Sequence, residues 1–302
     1  MTTRKLLPTF ERHEPETKDS TAVKMFKECA RKYFYRMVLG RTKPEGEWAS
    51  VFAWGTAIHK FVEILYQTGD TAAATMAAMK LWKPITKDKF DFQTKERLMK
   101  NFVALAHFYE NEKSKGNVKV IGIEQPFNVR FKDGHVIGGR FDQIVNWNGR
   151  IWIRDWKTTS KMIQYWKKGL DPNDQAIRYI YGMSALHFGI DDNGYPNKVI
   201  DGVMFVAIQN LKSVEAKIEP VTIGKNIGQI RRWVDDQVFV HKMMDACREA
   251  DVWPMQESSC GFCDYQLVCT QSSESGMEHM LKTQYLLSPW KHEEVDQKTI
   301  NE

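Results

Sequence analysis

Asn148-Gly149, set between two runs rich in Ile, Val, Phe and Trp, constrains the fold of this chain more than any other pair of residues. An Asn-Gly pair between apolar runs is the strongest short signal for a two-residue β-turn, because both turn positions need positive φ. The flanking runs, His135 to Trp147 and Arg150 to Lys157, then read as antiparallel strands. Counting outward from the turn places Asp142 directly opposite Asp155. Residues so opposed hold their Cβ atoms roughly 4.5–5.5 Å apart, and like charges there destabilise the sheet unless something neutralises them. A divalent cation would do so. Strand side chains alternate, so Asp155 and Lys157 project from one face and Trp156 from the other. The bland alternative is a chance Asp-x-Lys on a wet sheet face, and the paired register argues against it.

The remaining pattern places this hairpin in an α/β chain. Val118 to Phe131 is β-like and Lys132-Asp133-Gly134 reads as a turn, giving a three-stranded meander. If that turn is a three-residue loop with Gly134 left-handed, Glu124 also falls opposite Asp142. Apolar residues at Phe26, Cys29, Tyr33 and Met37 predict a helix from Thr21 to Met37, with Ser20 and Thr21 as capping candidates. Further helices are expected over Trp54 to Tyr66, stopped by Gly69, and over Thr71 to Trp82 and Thr94 to Lys113. Asp171-Pro172 opens a helix to about His187, Val199 to Gln209 and Val214 to Glu219 read as strands, and Ile227 to Ala250 as a long helix. The expected organisation is a polar segment over 1–20, a single domain over 21–270 with a helical insertion near 70–115, and a polar tail over 271–302.

With 42% hydrophobic and 12% aromatic residues, 302 residues can bury one large core or two modest ones. No run approaches the roughly 18 apolar residues that cross a bilayer, and the start is mixed in charge rather than signal-like. The expected location is the cytoplasm, with no membrane partner. A net charge of +5 permits a polyanionic partner without demanding one.

Five cysteines in a reducing compartment point to metal chemistry or burial rather than disulfides. Cys260, Cys263 and Cys269 cluster, and Cys29 stands far upstream. Zinc knuckles normally collect two local pairs, whereas here the grouping is three plus one. A [4Fe–4S] cluster also takes four thiolates. On spacing alone a cluster, Zn²⁺ and uninvolved cysteines stand level. His59 precedes Glu63 by one helical turn, so both can reach one point. A histidine between Ile58 and Val62 is more often a hydrogen-bonded core residue, but added to two aspartates it completes a set suited to Mg²⁺ or Mn²⁺. Gln175 and Tyr179 share a helix face and can meet phosphate or a base. Trp152, Trp156 and Trp166 read as core residues first and stacking platforms second.

Taken in order, these motifs resemble the PD-(D/E)xK nuclease superfamily, and within it the RecB-like branch that carries an iron–sulfur cluster. Gly55-Thr56-x-x-His59 resembles that branch's helical histidine motif, Gly139-Arg140-Phe141-Asp142 its second-strand aspartate, Asp155-Trp156-Lys157 its D/E-x-K strand, and Gln175-x-x-x-Tyr179 its following helix. Cys29 with Cys260, Cys263 and Cys269 is similar to the cluster ligands of AddB-type nuclease domains and CRISPR-associated adaptation exonucleases. The resemblance implies a mixed central sheet flanked by helices, a [4Fe–4S] staple, and metal-dependent cleavage of DNA. It further implies His59, Asp142, Asp155 and the Trp156 carbonyl as metal ligands, Lys157 beside the attacking water, and Gln175 and Tyr179 on the DNA. Glu63, Glu124 and Arg140 are supporting candidates. The expected activity is exonucleolytic, on single-stranded ends in recombination, repair or end processing. The alternatives are a flap or branch endonuclease and an inactive nucleic-acid-binding scaffold. No phosphate-binding Gly-x4-Gly-Lys-Ser/Thr loop occurs, so either unwinding comes from a helicase or recombination partner or the substrate is already single-stranded.

Overall fold

The computed structural model describes residues 10–44, 49–82, 93–131, 133–171, 173–210 and 216–291, with backbone alone over 49–52. In chain order the strands are β1 (Thr17–Lys18), β2 (Arg41–Thr42), β3 (Val118–Arg130), β4 (Val136–Trp147), β5 (Arg150–Thr159), β6 (Gly202–Gln209), β7 (Lys217–Ile223) and β8 (Leu286–Leu287). The helices are α1 (Ser20–Glu28), α2 (Ala30–Tyr33), α3 (Ala49–Thr68), α4 (Thr71–Leu81), α5 (Lys95–Lys115), α6 (Ile163–Trp166), α7 (Asp174–Phe188), α8 (Ile227–Ala250), α9 (Gln266–Cys269) and α10 (Glu274–Gln284). All the strands but β2 and β8 form one mixed six-stranded sheet, and those two pair with each other.

The hairpin forms as the Asn-Gly pair requires. Asn148 and Gly149 take φ of 52° and 82°, and the ladder runs from Trp147 opposite Arg150 to Gln143 opposite Arg154. It ends one step short of Asp142 and Asp155. The β3–β4 turn also has the expected register, with Arg130 opposite Val136 and Gly134 at φ 87°; Lys132 lies outside the described residues. Glu124 sits across from Asp142, between the Ile123–Gln143 and Gln125–Phe141 pairs, and is itself left-handed at φ 50°.

β4 is shared between two partners on its other edge. β1 runs parallel to its first residues, Val136 and Ile137, and β5 runs antiparallel to its last, from Gln143 onward. Among the described residues no strand is laddered to that edge between Gly138 and Asp142, so the sheet opens there. β6 then adds parallel to β5, and β7 antiparallel to β6. Alternate residues of β6 serve two cores: Val203 and Phe205 pack with α7 and α8, whereas Met204, Val206 and Ile208 pack under α3, α4 and α5. Burial on both faces explains why β6 is a continuous apolar run.

Several expectations need correction. The helix predicted over Thr21 to Met37 is broken at Cys29, which is extended (φ −168°, ψ 113°), and it resumes as α2 and a π-helical turn over Phe34–Val38. The cap is Asp19, one residue before Ser20, accepting from the Ala22 N–H. The 271–302 stretch is not a free polar tail through Lys291: α10 buries Leu281, Tyr285 is buried, and β8 pairs with β2. The 1–20 segment likewise joins the sheet through β1, where Thr17 and Lys18 are buried. Residues 1–9 and 292–302 lie outside the described structure. The late strand runs over Lys217–Ile223 rather than Val214 to Glu219, and Val214, like Pro172, lies outside the described residues. The helix from Ile227 to Ala250 forms with those bounds.

Candidate metal centre and active site

Asp142 lies at the point where β4 and β5 part. Its carboxylate accepts the backbone N–H of Trp156 at 3.1 Å, replacing a ladder partner, and meets Nδ1 of His59 at 3.2 Å. α3 delivers His59 because Ile58, Phe61, Val62 and Leu65 pin the helix into the core under β5 and β6. Asp155 is fully buried, and its Oδ2 pairs with Lys157 Nζ at 2.8 Å on the face opposite Trp156. α7 closes the site from the other core: Gln175 Nε2 donates to Asp155 Oδ1 at 3.3 Å and to the Tyr179 hydroxyl at 2.8 Å.

The electrostatics follow from burial of like charges. Burial, then the charge of Asp142, holds Asp155 well above the ordinary carboxylate range, with Lys157 offsetting part of the rise. Burial would also raise Asp142, but the His59 hydrogen bond and charge, with Lys157 and the Trp156 N–H, bring it below that range. Burial disfavours charge on His59 and Lys157, yet the aspartates lift both above their ordinary values. Burial and the neighbouring Asp142 push Glu124 up to about 7.

Among the described residues, one group of three or more metal-type ligands has donor atoms all within 4.8 Å of one another: His59, Glu124 and Asp142. One nitrogen and carboxylate oxygens suit Mg²⁺ or Mn²⁺, and after burial the charge of Asp142 adds to the rise of both Asp155 and Glu124. The residues therefore fit a hard divalent cation. Asp155, expected as a ligand beside His59 and Asp142, stands outside this group, with its Oδ2 paired to Lys157. Glu63 is engaged by Lys60 at 2.6 Å and stands outside the group, and Arg140 holds Glu124 at 3.0 Å.

One supporting residue escaped the sequence reading. Arg154 is fully buried, with bonds of 2.6 and 2.7 Å to Glu112 and 2.6 Å to Gln143, and lies over the Tyr66 and Trp156 rings. It fastens β5 to α3 and α5 immediately before Asp155. The available signal was a cation at an inward-facing position of an apolar strand. Trp156 is the core residue its position suggests, 1% exposed.

The four cysteines meet in the lobe that joins the chain ends but do not converge on one metal position. Cys29 is buried where α1 breaks, its Sγ accepting from the Gln256 N–H at 3.5 Å, and Cys260 Sγ bonds the Gln256 carbonyl at 3.7 Å. Burial raises the Cys263 and Cys269 thiols, and the charge of neighbouring Cys29 adds to each. Four thiolates on one Zn²⁺ at about 2.3 Å would stand roughly 3.8 Å apart, and no three described cysteines lie within 4.8 Å of one another.

No curated protein matches the sequence. Among solved structures, one named "Putative exonuclease", from Eubacterium rectale, has 13% identity and a TM-score of 0.50, covering 89% of this chain and 93% of that one. The structure of SSO0001 has 14% identity and a TM-score of 0.30, covering 71% and 84%. The first likeness is one of fold. Among the described residues no helix is long and apolar enough to cross a membrane. The PD-(D/E)XK nuclease superfamily profile matches residues 20–270, the span that carries His59, Asp142, Asp155 and Lys157, and the chain belongs to that superfamily.

Proposed function

We propose that this protein is a divalent-metal-dependent deoxyribonuclease that hydrolyses phosphodiester bonds at single-stranded DNA ends. The observation that carries the reading is the convergence of His59, Glu124 and Asp142 beside the Asp155–Lys157 pair at the opening of the sheet. His59, Asp142 and Asp155 would hold Mg²⁺ or Mn²⁺, with Glu124 at the same position and the Trp156 carbonyl as a backbone ligand. When bound, the cation supplies charge neutralisation at the phosphoryl oxygens and activation of water. Lys157, paired with Asp155, would orient or help deprotonate the attacking water and offset charge on the phosphate. Gln175 and Tyr179 orient Asp155 from α7 and face the strand to be cut.

Cleavage of end-labelled linear and circular single-stranded DNA with Mg²⁺, Mn²⁺ or EDTA tests this reading. Metal-dependent product from linear DNA alone is expected. Lys157→Ala and Asp155→Ala should each lower the rate at least a hundredfold while salt-dependent DNA binding persists. Equal cutting of circles would favour the flap or branch endonuclease, and binding without product would favour the scaffold. Wild-type rates in Lys157→Ala would remove the lysine from the reaction.

The cysteine lobe is proposed to hold a [4Fe–4S] cluster. Support comes from the four-thiol donor set and from its resemblance to the cluster ligands of related nucleases. Anaerobically purified protein should be brown and contain iron and sulfide, with the colour lost in Cys263→Ala. Colourless protein with stoichiometric zinc would replace the cluster.

A further inference from the structure

The structure assigns a substrate-positioning role to Trp290 and Lys291, which lie beyond the span that the superfamily profile covers. A groove of about 380 Å³ opens directly onto Asp142, and its walls include Arg140, Arg178, Tyr179, Trp290 and Lys291. Of its cations, Arg140 is paired with Glu124 of the candidate centre at 3.0 Å, and Lys291 lines the same groove as Asp142. The volume falls within the roughly 300–1,000 Å³ of small-molecule sites, room for a nucleotide unit. We propose that this groove seats the nucleotide next to the phosphate being cut, its base against the Trp290 indole and its backbone between Arg140 and Lys291. This inference rests on the nuclease reading above and names the substrate class as a single strand.

The indole is held in place from several directions. Its N–H donates to Asp19 Oδ2 at 3.0 Å, the acid that caps α1. Arg36, which does not line the groove, lies over the ring at 5.2 Å, and its guanidinium also donates to the Ser288 carbonyl at 2.9 Å. Ser288 N–H donates to the Gly40 carbonyl at 2.7 Å, and β8 pairs with β2 just before it. Gly40 has φ of 61°, and a Cβ there would meet Pro289 at 3.1 Å, so a side chain would be both strained and crowded at this approach. A half-buried tryptophan fixed this way at a cationic groove is a ready stacking surface, since every base presents a π face. A second groove, of about 580 Å³ with Lys24, Lys27, Glu28, Asp174 and Gln175 among its walls, shares Ser20 with the first.

The test is binding of a fluorescein-labelled single-stranded oligonucleotide by full-length protein in EDTA, in a cycle that pairs Trp290→Ala with an abasic oligonucleotide series. Trp290→Ala should weaken binding about tenfold, the size of one base stack. Trp290→Phe should recover most of that loss. At one oligonucleotide position the abasic substitution should erase the difference between wild type and Trp290→Ala. In cleavage assays the same variant should raise KM more than it lowers kcat, and Lys291→Ala should flatten the salt dependence of binding. Equal weakening of every abasic oligonucleotide, or unchanged binding in Trp290→Ala, overturns the subsite even if the wild type cleaves. Absence of metal-dependent product with the stacking signature intact overturns the nuclease reading alone.

Discussion

His241 shows how a single residue can set the acid limit of the whole fold. It lies on α8 with 1% exposure, and neither ring nitrogen has a hydrogen-bond partner among the described residues. Burial, then the charges of His135, Lys18 and Arg178, lowers its pKa from 6.5 to about 3. The folded chain therefore holds His241 neutral while the unfolded chain binds a proton below 6.5. Stability is fully present above 6.5 and is lost as pH falls toward 3. At about 1.4 kcal/mol per unit, this group alone removes about 2 kcal/mol by pH 5. Urea denaturation at pH 7 and pH 5 should show His241→Gln losing that much less than wild type over the interval, and equal losses would refute the assignment. The sequence does not announce this residue, because nothing local distinguishes it from the other histidines. Asp142, Asp155 and Lys157 were legible for the opposite reason: a two-residue turn and a period of two place them without reference to distant residues. Glu124 was legible only through the three-residue turn at Gly134, and Arg154 needed Glu112, a partner from α5, to make sense.

At the scale of elements, local chemistry predicted what local chemistry controls. The Asn-Gly hairpin and α8 formed as read, α8 with an Asn226–Gln229 capping box. The break at Cys29 was invisible because apolar spacing continues across it. It is set by the chain's far end: Arg31 N–H donates to the Pro254 carbonyl and Ser259 Oγ to the Glu28 carbonyl, groups that an unbroken helix would pair internally. Gly182 is a similar case. A glycine inside α7 weakens the helix in isolation, yet a Cβ there would meet the Phe127 ring at 2.4 Å, so its absence is what lets α7 lie against β3. Gly182→Ala should cost about 1–3 kcal/mol through overpacking despite the better helix propensity of alanine. Gly149→Ala has open space around its Cβ and only φ of 82° against it, so its loss should stay near 1–2 kcal/mol. Chemical denaturation of the pair measures the difference. A stabilised Gly182→Ala would mean that α7 can move off the sheet.

The whole molecule is held by contacts between its ends, a level that no sequence window reports. Glu14, in the stretch expected to be a polar segment, bonds Arg248 of α8 at 2.8 and 2.9 Å, the Tyr33 hydroxyl at 2.7 Å and Lys18 at 3.1 Å. Lys18 is 7% exposed in β1, against the strand that carries Asp142, and burial draws its pKa down even with Glu14 beside it. Glu14 is therefore the counterion that lets the chain start be laid into the sheet. Arg12 and Asp251 join the same two regions at 2.6 Å, but at the surface. Exposed pairs contribute about 0–1 kcal/mol, whereas removing one partner of a buried pair costs about 3–5 kcal/mol because the other charge is left uncompensated. Glu14→Gln should therefore destabilise the protein several times more than Arg12→Ala, by about 3 kcal/mol or more at pH 7. Part of the loss should return in Glu14→Gln/Lys18→Met, which removes the stranded ammonium. If Glu14→Gln and Arg12→Ala cost the same, the chain start is a surface strap and not a structural part of the sheet that presents the acids.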